Sequence, residues 1–496
     1  MKLTLNIKSK KNILIVSTII LILIIVKTWP RLIFCPITDD NSESVIKINE
    51  DLFKLSTKGS SRGTAYANMS KVIFIDSICV ISWLGIDEGK FKPVVAVYNL
   101  KAKKVINRYI FDESFDNHGV PSLAVDNKKI IHLFYYPHSA HKIKYKTGKL
   151  TANNEIIWEC QENIGDPNLT YPNPIFHKDK GLFLFARKTP NIPGPNPLAS
   201  YGFFKPVKDK NVFNDLLISS TSGYAAFSSR VLISNEKIQL LTRYHENSSK
   251  NFSGQTQTIS YIESQDNGVN WQIDNKNKIN YQDKGVWNWE NLKLNNLITS
   301  NKGSIIDKGG LEKGNVLSVI GLYNDNLKNV NAFYLKEDIS DSKIVEAIRN
   351  NKNGYWEKSY INNLIYPQLK GQRFVAPTGN LIVQDSIILF SGVLQDDTIK
   401  RDIKSISQWG HKSNSVVILT KEKNKYKILI EFTSSSNCVW FPYIKLKGNN
   451  LVLIFTKKSE DINLSNGDTT NETEVFLFHT KLDELLNKKH EKLILL

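Results

Sequence analysis

The stretch HGVPSLAVDNKKIIHLFYY (His118 to Tyr136) is followed along the chain by TYPNPIFHKDKGLFLFAR (Thr170 to Arg187), and the two share one phrase. Each has a polar or aromatic lead-in and a proline, then two β-branched and aromatic runs around a polar turn. Weaker copies run from Gly223 to Tyr244, from Phe374 to Gly392 and from Trp440 to Thr456, and Thr64 to Trp83 reads as a first copy. Aligned on the proline or its substitute, the steps are 54 residues from Ala67 to Pro121, 51 to Pro172 and 53 to Ala225. A longer step of 65 separates Pro377 from Pro442. Repeats of roughly 40–50 residues that hold several strands each are the signature of propeller blades. The expected fold is therefore all-β, a β-propeller. The 152 residues from Ala225 to Pro377 are too many for one blade. One hidden copy near Asn315 to Asn324 gives seven blades and two copies give eight; seven is the reading adopted.

The same grammar extends outward. From about Gly59 to the C-terminus, β-rich runs alternate with Asn, Asp, Gly and Lys turns at a spacing of roughly 8–12 residues, the all-β pattern. Helical periodicity is confined to short pieces, Ser340 to Asn350 and His479 to Lys489. Ser264 to Trp271 (SQDNGVNW) fits S-x-D-x-G-x-x-W, the Asp box, at every defined position. Its chemistry is that of a turn: the aspartate accepts hydrogen bonds, the glycine takes a conformation other residues resist, and the tryptophan packs. It marks a fold, not a catalytic site.

Upstream of the repeats the chain changes character. A basic start is followed by Ile13 to Val26, an apolar run of 14 residues, short for a span that normally needs about 20. Thr28 and Trp29, with Lys11 and Lys27 snorkelling, extend the embedded part, and no small-residue cleavage site follows. Residues 1–29 are expected to be an uncleaved signal anchor, 30–58 a linker and 59–496 the propeller. Lys2, Lys8, Lys10 and Lys11 keep the N-terminus cytoplasmic, so the bulk of the chain is expected to be membrane-anchored and extracytoplasmic.

The net charge of +17 comes largely from lysine in a chain rich in Asn and Ile, so a lysine-rich surface is the default reading. Charge at this level also favours anionic ligands or membrane surfaces. Neither an aromatic-interleaved basic motif nor a helix-turn-helix pattern points to nucleic acid. Four cysteines in 496 residues do not make a disulfide scaffold. Cys79 and Cys438 fall near the first and last copies, where a bridge is conceivable, but buried free thiols are the reading adopted. No Cys/His cluster has zinc spacing; no metal or cofactor is expected, and the chain is expected to be a monomer.

Side chains at the starts of inner strands converge on the funnel of a propeller, so those positions are the first candidates. His118 opens the second copy, and His138 follows its second run, with His141 close by. Tyr171 precedes Pro172, and Arg187 ends the adjoining run. In the next copy Tyr224 takes the Tyr171 position and Arg243 the Arg187 position. Each has a bland alternative as a turn or packing residue. His132, in mid-run, and His177, in a turn, are read as structural. Arginine is scarce beside lysine here, which favours planar, bidentate roles for Arg187 and Arg243.

DNHGVPSLAVDNKKIIHLFYYPHSAHKIKYKT resembles the opening of the BNR-repeat family whose members include ulvan-lyase-like polysaccharide lyases. His118, Leu123, Asp126, His132 and His138 occupy the places of its D-x-H, L-a-v-D, l-H-v and n-x-H elements. LTYPNPIFHKDKGLFLFARK resembles the family's T-Y-P segment, matched by Tyr171, Pro172, Gly181 and Arg187, and Tyr224 resembles the tyrosine that opens the next blade. The resemblance covers about Gly63 to Trp271. It implies cleavage of a uronate-containing anionic polysaccharide by β-elimination. Arg187 would neutralise the uronate carboxylate, His118 and Tyr171 would form the acid/base pair, and His138, Tyr224 and Arg243 would bind substrate. Two departures fall beside Arg187: Ala186 stands where an aromatic usually precedes the arginine, and the glycine-rich segment after it becomes KTPNIPGPNP (Lys188 to Pro197).

Besides a scaffold that uses its rim for protein partners, two other functions stay open. One is a membrane-tethered propeller that holds a glycan without cutting it, which the altered Arg187 neighbourhood favours. The other is a sialidase-like hydrolase, since sialidases share the Asp box. Its R-I-P-type motif is missing, although Arg187, Arg243 and Arg373 would supply three arginines. Paired carboxylates for a retaining or inverting hydrolase do not announce themselves at a strand end.

Overall fold

A computed structural model describes residues 38–39, 45–114, 116–136, 141–159, 162–164, 169–188, 197–205, 214–222, 229–246, 256–268, 271–274, 277–279, 305–308, 316–337, 342–352, 354–361, 369, 371–376, 378–399, 410–422, 425–458, 473–488 and 490–495. The described chain is all-β apart from one short helix, Leu482–Asn487. That helix falls in the second stretch with helical spacing. The first does not fold as its spacing suggests: Ser342–Arg349 is a strand, buried along most of its length. Ile344, Ala347 and Ile348 fit a helical face, but a strand covered on both faces loses its alternation, and such a run has no diagnostic period.

The sheets are built mainly of consecutive antiparallel strands, with a parallel pairing where Glu491–Leu495 joins Lys425–Ser434. The first unit comprises Val72–Ile75, Ile78–Asp87, Lys90–Asn99 and Lys104–Ile110. The second has Ser122–Val125, Ile130–Tyr135, Ile143–Leu150 and Ile156–Trp158, and the third Leu169–His177, Gly181–Lys188, Pro197–Lys205 and Asn214–Ser222. Further units start at Arg230–Ile233, Val316–Asn324 and Gln372–Val375. The strand Val316–Asn324 falls where a hidden copy is expected, between Ala225 and Pro377.

The final unit is built from both ends of the chain. Val439–Lys447, Asn450–Lys458 and Thr473–Lys481 pair in order, and Leu52–Gly59 completes the sheet alongside Thr473–Lys481. Leu52–Gly59, which pairs here, lies just upstream of the boundary expected at residue 59. At Gly59 the two chain ends approach so closely that a Cβ would meet Val475 Cγ2 at 2.7 Å and Thr473 Oγ1 at 2.8 Å. Only glycine fits there without displacing the partner strand.

Successive sheets pack face to face through apolar clusters. Val80, Val97 and Tyr109 of the first unit meet Ile131, Leu133 and Tyr135 of the second, and Phe134 and Tyr145 of the second meet Leu182 and Leu184 of the third. The pattern continues around to the seam, where Phe53, Val452, Ile454 and Leu477 pack on Val72, Ile81 and Trp83 of the first unit. Cys79 and Cys438 are buried free thiols. Among the described residues no helix is long and apolar enough to cross a membrane. The apolar run Ile13 to Val26, on which the anchor expectation rests, lies outside them.

Candidate functional site

Three aromatic rings from three stretches of chain meet at one point. The rings of Tyr66 and Tyr171 have centroids 4.4 Å apart, those of Tyr66 and His118 are stacked at 6.2 Å, and those of His118 and Tyr171 lie 6.3 Å apart. The Arg187 guanidinium carbon sits 4.6 Å from the Tyr171 ring centroid. His118, Tyr171 and Arg187 are therefore brought together, and Tyr66 joins them. Arg62 comes with it, because its Nη1 donates to the Tyr66 phenol oxygen at 2.7 Å.

Local backbone devices aim these side chains. Tyr171 (φ 56°) and Tyr66 (φ 63°) are both left-handed, a region that aromatic residues rarely occupy and that carries a cost of order 1–3 kcal/mol each. Tyr171 also sits in a register shift between Thr170 and Asn173 against Gly181–Lys188. A bulge of this kind turns a side chain out of the pleat. Phe441, preceding Pro442 in the last copy, repeats both features, with φ 53° and a shift between Trp440 and Tyr443. The aromatic before the repeat's proline or its substitute is thus a recurring device that turns a ring out of the sheet.

The His118 loop is fixed by Asp116, whose Oδ1 accepts the His118 backbone N–H at 2.8 Å and lies 3.1 Å from His118 Nδ1. A carboxylate at that nitrogen orients the ring and favours a proton on Nδ1. Asn117 reaches Ser61 Oγ at 3.4 Å and ties the loop to the turn that carries Arg62. Arg187 is 3% exposed and donates from Nε to Thr170 Oγ1 at 2.9 Å. Tyr171 is 3% exposed, whereas Tyr66 and His118 are half-buried.

Cationic charge lies close to these residues. Lys71 Nζ donates to the carbonyls of Tyr66, at 2.8 Å, and Met69, at 3.1 Å. Burial, with Arg230 close by, holds Lys71 well below the ordinary lysine range. Burial likewise pushes Arg230 down to about 9; its Nε, Nη1 and Nη2 donate to the carbonyls of Ile320, Ser229 and Gly379. In both residues burial disfavours the charged form, and the backbone carbonyls accept the side-chain hydrogens.

Of the remaining candidates, His138 and Tyr224 lie outside the described residues. Arg243 is buried on Ile238–Glu246 and donates from Nη1 to the Leu317 carbonyl at 2.8 Å, a link to the next sheet. Arg373 likewise donates to the Ile399 carbonyl, so two of the three arginines of a sialidase-like triad have structural contacts. His132 binds Tyr145 OH at 2.8 Å inside its sheet, as a structural role requires. In the Asp box, Gly268 N donates to Ser264 Oγ at 2.8 Å, and Ser264 Oγ donates to Asp266 Oδ1 at 2.9 Å. Gly268 has φ 89°, so the motif makes a turn. No group of three or more metal-ligating side chains occurs among the described residues.

Tyr66 and Arg62 were missed by sequence reasoning. The available signal was position: Tyr66 precedes Ala67 as Tyr171 precedes Pro172, in the copy that lacks the proline.

The described chain is all-β and propeller-like in its architecture, with imidazole, phenol and guanidinium groups gathered at one point. More particularly, the chain belongs to the BNR repeat-containing family, whose sequence model matches residues 81–364. An ulvan lyase from Alteromonas sp. (strain LOR) is 28% identical over 131 residues, 22% of this chain and 27% of that protein. The match thus spans about a quarter of that relative's length. A solved polysaccharide lyase superposes with a TM-score of 0.52 at 12% identity, covering 89% of this chain and 99% of that one. A Trypanosoma rangeli sialidase superposes with a TM-score of 0.43 at 10% identity, covering 90% of this chain and 60% of that one.

Proposed function

We propose that the four-stranded units close into a seven-bladed ring and that the chain is a polysaccharide lyase, cleaving a uronate-containing anionic polysaccharide by β-elimination. The ring is supported by the sheet-to-sheet clusters that run through to the seam where Leu52–Gly59 completes the last sheet. The chemistry is supported by one observation above the others, the convergence of His118, Tyr171 and Arg187. The partial similarity to an ulvan lyase points the same way.

The reaction needs those groups. The proton α to a uronate carboxylate is not acidic until the carboxylate charge is neutralised. An arginine fork pairing with both oxygens stabilises the enolate-like intermediate, the role proposed for Arg187. One acid/base group then removes the proton as the C4–O bond breaks, and another protonates the leaving oxygen. His118, oriented by Asp116, and Tyr171 are the proposed pair, with His138, Tyr224 and Arg243 proposed to contact substrate. The expected anchor at residues 1–29 belongs to the same reading, since it would hold the propeller outside the cytoplasm where such polymers occur.

A second reading, glycan binding without cleavage, is favoured by the burial of Tyr171 beneath Tyr66 and Arg187. The deciding experiment incubates the purified chain with a panel of uronate polysaccharides and follows the ultraviolet absorbance of unsaturated ends. Product that disappears in Tyr171→Phe supports the lyase. Absence of product from every polymer, with measurable binding of one of them, leaves the binding module.

A further inference from the structure

We propose that Tyr66, with its phenol oxygen held on Arg62, is the group that protonates the leaving glycosidic oxygen. The proposal rests on the lyase reading and moves the donor role from the His118–Tyr171 pair to Tyr66, leaving proton abstraction to that pair. Three observations converge on it. Tyr66 stacks on His118 and against Tyr171, so a sugar reached by one of these groups is within reach of the others. It is half-buried, whereas Tyr171 is 3% exposed. Its oxygen accepts the Arg62 Nη1 hydrogen at 2.7 Å.

The hydrogen bond from Arg62 decides what the phenol can do. A phenol has one O–H to donate and accepts through its lone pairs. With an arginine N–H on the accepting side, the phenol keeps its O–H as its one donor. When that proton leaves, the phenolate that forms is already paired with a guanidinium, the charge-assisted bond that strengthens as negative charge develops. The step balances. The base takes the C5 proton, its electron pair forms the C4=C5 double bond, the C4–O bond breaks, and the departing oxygen takes the Tyr66 proton. Solvent then returns a proton to the phenolate, while the base releases the one it took.

The backbone supports the assignment. Tyr66 is held left-handed, φ 63°, with its carbonyl on Lys71 Nζ. The turn carrying Arg62 is bonded to the final unit, since Thr473 Oγ1 donates to the Ser60 carbonyl at 2.7 Å. The donor is therefore placed by the junction between the chain's two ends, and the site is complete only when that junction is formed.

The test uses two substrates: a uronate polysaccharide that the wild-type chain cleaves, and a synthetic uronate carrying fluoride at C4, whose departure needs no proton. Tyr66→Phe is expected to lower kcat on the polysaccharide by about 10²–10⁴-fold with little change in KM, the range for loss of a general acid. On the fluoride it should stay within about tenfold of wild type, because the step that needs the acid is absent. Arg62→Met should show the same split with a smaller loss, and Tyr171→Phe should slow both substrates if it serves abstraction. Thermal midpoints equal to wild type exclude a folding defect. Full polysaccharide activity in Tyr66→Phe, or equal losses on both substrates, overturns the donor role and leaves the lyase reading standing. Absence of product from the wild-type chain with every polymer sinks that reading, and the proposal with it.

Discussion

The guanidinium carbon of Arg187 lies 4.6 Å from the ring centroid of Tyr171, the residue that follows Arg187's own hydrogen-bond partner, Thr170. One arginine thus clamps the bulge that presents the tyrosine. The arrangement uses the fork: Nε is fixed on Thr170 while the far face of the guanidinium is carried by the ring.

Arg187→Lys keeps the charge and loses that geometry. A lysine is a point charge that cannot hold Thr170 and also pair bidentately with a carboxylate. If Arg187 neutralises the uronate, kcat on a cleaved polysaccharide should fall by about 10²–10³-fold, the scale seen when one oxyanion-stabilising donor is removed. Stability should fall by only about 1–2 kcal/mol, from the lost hydrogen bond and cation–π contact. Steady-state rates and denaturant midpoints measured together check both, and an unchanged rate would remove Arg187 from the chemistry.

Gly119 sets the His118 loop. A Cβ there would fall 1.6 Å from Ser114 Oγ and 2.9 Å from Ser114 Cβ, so Gly119→Ala cannot be accommodated while Ser114 stays in place. Overpacking of this kind typically costs about 1–3 kcal/mol, and the loop that must move carries His118. Gly119→Ala should therefore lose activity as well as stability. Gly119→Ala with Ser114→Gly removes the colliding atoms and should recover most of both, read as thermal midpoint and rate. Failure of the second change to restore either would mean that the loop is held by something other than this contact.

Much of the fold was legible because the repeated phrase is local. Two β-rich runs around a turn specify a hairpin wherever they occur, and the copies at His118, Thr170, Phe374 and Trp440 all fall on strand hairpins. Ser342–Arg349 was not legible, because burial on both faces erases the alternation that distinguishes a strand. Within it, Glu346 accepts from Tyr426 OH at 2.6 Å and pairs with Lys421, a buried charge made acceptable by residues about 80 positions away. The site was half legible for a related reason. Tyr171 and Arg187 face each other across one hairpin, so the phrase itself contains their contact. Arg62 and Tyr66 arrive through pairing of the two chain ends, and no local pattern states that Leu52–Gly59 will complete a sheet begun at Val439.

That closure gives a third expectation. Thr64 Oγ1 lies 2.8 Å from the Phe441 carbonyl and 2.7 Å from Thr456 Oγ1, and the Thr64 backbone N–H donates to the same Thr456 oxygen at 3.2 Å. All of these contacts are buried. Thr64→Val keeps the shape and leaves the Phe441 carbonyl without its donor, at a cost of about 1–3 kcal/mol. Because Thr64 lies between Arg62 and Tyr66, the polysaccharide rate should fall with it, while Thr456→Ser, which keeps a hydroxyl, should change neither. A Thr64→Val chain as stable and as active as wild type would detach the seam from the site.

The seam should also make the protein sensitive to acid through His479. The Tyr98 hydroxyl lies 3.2 Å from His479 Nδ1, and His479 Nε2 lies 3.3 Å from Asn450 Oδ1. A neutral ring protonated on Nε2 satisfies both, accepting from tyrosine and donating to the amide oxygen. Burial, with Lys103 and Lys481 near and Asp51 opposing them, pushes His479 down from 6.5 to about 4. Between those values the unfolded chain binds a proton that the folded chain refuses, so stability falls as pH drops from 6.5 toward 4 and this contribution levels off below. The size is on the order of 3 kcal/mol, from 1.36 kcal/mol for each pKa unit. Replacing the ring by a group that does not titrate, His479→Gln, should remove this part of the acid loss while carboxylate titrations, common to both chains, remain. Urea midpoints of the two chains at intervals between pH 7 and 4 should therefore converge as the pH falls. Midpoints that stay parallel would show that His479 does not titrate differently in the folded chain.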